Sequence, residues 1–303
     1  MREIFKVGDS LAAKFSKCSH FNSRAGTSYK TRMQSTYRAL QDHAKKARWG
    51  KDVTPLNITE KQIKGFIQSR IDAGLGERTI QNEMSHIRRS LEGVGRKEFA
   101  QVTCSNKNIG IPSASRIGTG KVVNQDVFQA AREKLAPETR SLVDLQWSLG
   151  LRVREAVCAG PSLNTWLKTL ETGGSVLHVT DGTKGGRVRD IYIRPDNVAA
   201  AKSSIIGCLS IFKDIGKLVD SPHLKAALET HTDRLARTGL KGDNSSHSLR
   251  RDFAYRQYKY YLKEGYDDKK SLQLVSRDMG HGDGRGRWVY NNYIRATLEA
   301  ESK

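Results

Sequence analysis

Apolar residues recur at steps of three and four along most of this chain, and at steps of two in one short region. The longer step lines one face of a helix, and the step of two lines one face of a strand. Tyr29, Met33, Tyr37, Leu40 and Ala44 predict a helix over about residues 28–49. Ile63, Phe66, Ile67 and Ile71 predict a second, opened by Thr59 as N-cap with Gln62 three residues on and ended by Gly74-Leu75-Gly76. Ile80, Met84, Ile87 and Leu91 predict a third, with Arg78, Arg88 and Arg89 facing outward. Leu142, Leu145, Trp147 and Leu149 mark another over 138–149. The step of two covers residues 175–180 and 187–193, and the glycines of Asp181-Gly182-Thr183-Lys184-Gly185-Gly186 between them suit a tight hairpin turn. This patterning predicts a fold that is mainly α with a small β-sheet (α+β).

One stretch interrupts the helical pattern at length. Residues 105–120, SNKNIGIPSASRIGTG, are rich in Ser, Gly and Asn and show no period. They predict a linker between an N-terminal unit, residues 1–104, and a C-terminal unit, residues 121–303. Within the first, residues 20–103 fit a bundle of about four short helices.

Charge narrows the function. The chain carries 52 Lys and Arg against 32 Asp and Glu, a formal net charge of +20, which implies a polyanionic partner. There is no apolar run of spanning length and no signal-peptide pattern, so nucleic acid is expected rather than membrane, in a cytoplasmic, nucleoid-associated setting. Cys18, Cys104, Cys158 and Cys208 lie far apart and read as reduced thiols without zinc spacing. HExxH, EF-hand and Walker A patterns are absent, and Gly118-Thr119-Gly120-Lys121 lacks both the first glycine and the Ser/Thr of a phosphate loop. No metal or cofactor is expected.

The chemistry concentrates in residues 247–293. His247 and Arg250 sit three apart, on one helical face. A guanidinium matches phosphate oxygens. His247 and His281 can each donate to a phosphate or move a proton, and a nearby tyrosine hydroxyl can attack phosphorus. Upstream, Gly150-Leu151-Arg152-Val153-Arg154-Glu155 places an arginine among apolar neighbours, where it needs phosphate or Glu155 as partner. This set has no cluster of carboxylates for a two-metal site and would instead neutralise a phosphorane with fixed cations.

In order, Gly-Leu-Arg-x-x-Glu, Thr-Lys-Gly-Gly, His247-x-x-Arg250, Met279-Gly280-His281 and a following tyrosine resemble the motif series of the tyrosine recombinase (phage integrase) family. The resemblance implies a helical core-binding domain followed by a catalytic domain. It further implies DNA strand cleavage and rejoining through a covalent 3′-phosphotyrosine, as in site-specific recombinases of mobile elements. Arg152 and Arg250 would bind the scissile phosphate, braced by Glu155. Lys184 would be the general acid, His247 would assist proton transfer, and His281 would hydrogen-bond the phosphate. Arg78, Arg88 and Arg89 would face DNA. Double-stranded DNA, a synaptic tetramer of the chain and accessory DNA-bending proteins are the implied partners. The family's step of about nine residues from Gly-His selects Tyr290. The frame Asn291-Asn292-Tyr293-Ile294 resembles the family's better, and the Gly-Asp-Gly-Arg-Gly-Arg run looks like a small insertion, which selects Tyr293. We expect Tyr293, with Tyr290 as the alternative nucleophile. A type IB topoisomerase uses the same chemistry, and a non-catalytic DNA-binding regulator would keep only the basic surface.

Overall fold

A computed structural model describes residues 4–6, 8–19, 26–113, 117–118 and 120–302. The chain forms two compact units, Met1–Ser115 and Arg116–Lys303.

The first unit holds α1 (Leu11–Cys18), α2 (Thr27–Lys46), α3 (Glu60–Asp72), α4 (Glu77–Gly93) and the short α5 (Asn106–Ile109). The expected stripes meet in its core, where Phe15, Met33, Leu40, Phe66, Met84 and Ile87 have no solvent exposure. Thr59 and Gln62 form the capping box anticipated at the head of α3. Two expectations are corrected. The run from Ser105 does not begin as a linker. Ser105 caps α5 through its side chain, and Ile109 and Ile111 are buried in the first core, because two isoleucines gain more by burial than a linker gains by freedom. Arg88 does not point freely outward either. It is half-buried and donates to the Cys104 carbonyl and Asn106 Oδ1, both at 2.9 Å, satisfying polar groups beside α5. Arg78 is exposed and Arg89 half-buried.

The second unit begins with α6 (Gln125–Lys134), α7 (Pro137–Leu149), α8 (Val153–Val157) and α9 (Leu163–Glu171). Next come β1 (Val176–Val179) and β2 (Arg189–Tyr192), then α10 (Val198–Ile215) and α11 (Leu224–Arg237). The chain closes with α12 (Ser246–Lys263), α13 (Asp268–Asp278), α14 (Gly286–Val289), a π-helical turn over Tyr290–Ile294 and α15 (Arg295–Glu301). Leu145, Leu149, Ile191, Ile205, Phe253 and Val275 meet in its main core. The strands pair antiparallel, with Val176 opposite Tyr192 and Val179 opposite Arg189. Their connection is longer than the tight turn expected, running from residue 180 to 188 with a 3-10 turn at Lys184–Gly186. Among the described residues no helix is long and apolar enough to cross a membrane.

Candidate active site

Side chains from three elements, α8, β2 and α12, converge on Glu155. Gly150 ends α7 in the left-handed region, φ +60°, where a Cβ would stand 2.4 Å from the Phe253 ring. Glycine therefore allows the chain to turn tightly against α12. The turn delivers Arg152 as N-cap of α8 and Glu155 three residues on, fully buried. Glu155 accepts from the Arg152 backbone N–H at 2.9 Å and from Arg152 Nη1 at 2.5 Å. It also accepts from Arg189 Nη2 at 2.8 Å, and Arg250 Nη1 lies 3.8 Å away. Burial raises the pKa of this carboxyl, but the Arg189, Arg250 and Arg152 charges overcome it and hold the pKa at about 2. Three guanidiniums against one carboxylate leave a local surplus of positive charge, an electrostatic seat for an anion.

Arg250 is 1% exposed. Its Nη1 donates to the Gly150 carbonyl and its Nη2 to the Met279 carbonyl at 2.5 Å, while its buried Nε has no protein partner among the described residues. Burial and then the Arg189 charge push its pKa down to about 9, which still leaves it charged at neutral pH. Arg152, at 28% side-chain exposure, is the cation that solvent reaches.

Arg189 was missed by the motif reading, although a signal was present. Along β2 it shares a face with Ile191 and Ile193, so alternation turns it inward. An arginine on the buried face of a strand demands a partner, and Arg189 finds Glu155 and the Asp278 carbonyl. Gly280, at φ +66°, lets the chain pass over it, since a Cβ there would lie 2.3 Å from Arg189 Cδ.

His247 lies in the first turn of α12 and His281 follows Gly280. The two imidazoles flank Tyr293, with ring centroids 5.6 and 5.7 Å from the phenol ring. Burial and then the Arg250, Arg152, Arg189 and Arg285 charges push His281 down to about 3. Its Nε2 is buried without a hydrogen-bond partner among the described residues. Crowding by protein atoms, then Arg251, Arg250 and Arg152, also depress His247. Its outer edge is open to solvent, which moderates the effect. Both histidines are therefore neutral near pH 7.

The π-helical turn separates the two tyrosines. Tyr293 is 4% exposed among the histidines. Tyr290 instead lines a groove with Asp268, Leu272, Gln273 and Gly286 on the other side of the turn. A π turn carries one residue more than an α turn and so shifts the register. Lys184 is exposed on the β1–β2 connection; none of its described contacts joins it to the arginines. The structure thus brings together Arg152, Glu155, His247, Arg250, His281 and Tyr293, adds Arg189 and Trp288, and leaves Lys184 on a neighbouring loop.

The family model described as phage integrase, N-terminal, matches residues 11–100, and the model described as integrase matches 110–256. No curated protein matches. Among solved structures, the Tn1549 transposon integrase in complex with transposon right end DNA is 13% identical with a TM-score of 0.63, covering 97% of this chain and 98% of that one. The XerH site-specific recombinase bound to a palindromic difH substrate is 17% identical with a TM-score of 0.60, covering 97% and 84%. A lambda integrase dimer bound to a COC′ core site is 17% identical with a TM-score of 0.57, covering 94% and 77%. At such identities the likeness is one of fold.

Proposed function

Since the chain belongs to the tyrosine recombinase (phage integrase) family, with both its units matched, we propose that it is a site-specific DNA recombinase of a mobile element that cleaves and rejoins strands through a covalent 3′-phosphotyrosine. The observation that carries this reading is the placing of one tyrosine between two neutral imidazoles, beside guanidiniums gathered on Glu155.

Tyr293 Oη forms the new bond to phosphorus as the bond from phosphorus to the 5′-oxygen breaks. His247, neutral near pH 7, takes the phenol proton. Arg152 and Arg250 neutralise the non-bridging oxygens in the pentacoordinate transition state, and His281 donates to one of them. Lys184, from its exposed loop, protonates the leaving 5′-oxygen. Because Tyr293 is nearly covered, its side chain turns outward when DNA arrives. The phosphotyrosine keeps the energy of the phosphodiester, so rejoining to a second strand needs neither ATP nor metal. The sequence motifs support these roles, and the surplus of site cations supports binding of a phosphodiester.

The net charge of +20 supports double-stranded DNA as partner. Arg78 and Arg89 contribute from the helical core-binding domain, with the catalytic domain following the linker. Assembly is a synaptic tetramer on DNA, assisted by accessory DNA-bending proteins, in the cytoplasm at the nucleoid. The test is incubation with nicked suicide DNA followed by a denaturing gel. A covalent protein–DNA adduct is expected, and its absence on cognate DNA would reduce the chain to a DNA-binding regulator. A two-site plasmid then separates recombination from relaxation by a topoisomerase-like enzyme.

A further inference from the structure

Trp288 stands at the outer wall of the site. Its ring centroid lies 4.5 Å from that of His281 and 5.7 Å from that of Tyr293, and 40% of the residue remains exposed. The run between His281 and Trp288 is Gly282-Asp283-Gly284-Arg285-Gly286-Arg287. Its one carboxylate is turned away, because Asp283 pairs with Arg277 at 2.6 Å. The His281 backbone N–H is anchored to the Ser276 carbonyl at 2.8 Å, but its buried Nε2 has no hydrogen bond among the described residues. An imidazole without a hydrogen bond at that nitrogen must be oriented by packing, and the nearest ring is the indole.

We propose that Trp288 is a positioning residue for strand cleavage, whose indole holds the His281 imidazole beside Tyr293 and screens both rings from water. Resting on the recombinase reading, this assigns a role to a residue outside the motif series. The charged groups facing His281 are Arg250 from α12, Arg152 at the head of α8, Arg189 from β2 and Arg285 from its own loop. All four remain when Trp288 is changed, so loss of the indole alters hydration and orientation alone.

The experiment compares Trp288→Phe and Trp288→Ala in the full chain, by single-turnover adduct formation, DNA affinity and the pH titration of the His281 ring proton in NMR, assigned through His281→Gln. Trp288→Ala should cleave more slowly by about tenfold or more, a displacement effect, with affinity within about twofold since binding rests on backbone phosphate contacts. His281 should then titrate at higher pH as water enters. Trp288→Phe, which keeps an aromatic wall, should restore both the rate and the titration. Wild-type rate and titration in Trp288→Ala would overturn the proposal. So would a Phe variant as slow as the Ala variant, which would assign the effect to the indole N–H. If the wild type forms no adduct, the recombinase reading fails, while the His281 titration still tests whether the indole sets that ring's environment.

Discussion

Replacing Glu155 by Gln removes one negative charge from a point where three guanidiniums meet, at almost constant volume. The carboxyl is fully buried, and its pKa is held at about 2 against an ordinary 4.5. A fall of that size corresponds to roughly 3 kcal/mol of stability at neutral pH. Breaking a buried ion pair by deleting one partner gives a similar figure, about 3–5 kcal/mol, because the remaining charges stay buried. The sign follows from the depressed pKa. The contribution is complete above about pH 4.5 and is lost as pH falls through about 2. Glu155→Gln should therefore be less stable than wild type by about 3 kcal/mol at pH 7, or roughly 6–12 °C in the melting of a unit this size. The gap should narrow below pH 4.5 and close near pH 2. Urea unfolding followed by tryptophan fluorescence suits the measurement, because Trp147, Trp166 and Trp288 lie in the second unit and Trp49 in the first. A gap under about 1 kcal/mol at pH 7, or one unchanged between pH 7 and pH 3, would refute the view that Glu155 is the electrostatic hub of the site.

Other outcomes follow from the same geometry. Tyr293→Phe should abolish the covalent adduct with DNA affinity nearly intact, while Tyr290→Phe stays active; peptide mapping of a trapped adduct to residue 290 would reverse the assignment. Cleavage should persist in EDTA, because Glu155, the carboxylate at the centre of the site, is already occupied by arginines; loss of activity restored by magnesium would sink the mechanism. Gly280→Ala, which drives a Cβ to 2.3 Å from Arg189 Cδ at a positive φ, should cost about 1–3 kcal/mol of stability and slow cleavage. A melting temperature equal to wild type would show that the Arg189 side chain yields freely.

Much of this protein was legible without coordinates because its information is local. Stripes at steps of three and four define helices wherever one side of the chain is buried, so α2, α3, α4 and α7 fall close to where the sequence puts them. The capping box at Thr59 depends on residues three apart and is equally visible. Arg152, Glu155, His247, Arg250 and His281 were legible as a set through their resemblance to the family's motif series, because residue type and order are properties of the sequence itself. What depends on contacts between distant segments was not legible. Whether Asn106–Ile109 is linker or core turns on whether Ile109 and Ile111 meet the first bundle, and only packing settles that. Arg189 showed an inward position on its strand, but its partners Glu155 and Asp278 lie 34 and 89 residues away. The different surroundings of Tyr290 and Tyr293 are the clearest case. Residues three apart on an α-helix differ by only about 60° around the axis, so spacing alone leaves both open. The π-helical turn over Tyr290–Ile294 separates them, placing one ring between two imidazoles and the other in a groove beside α13. That turn packs against α12, and Tyr290 faces Asp268, Leu272 and Gln273 of α13, contacts between separate segments that no local pattern encodes.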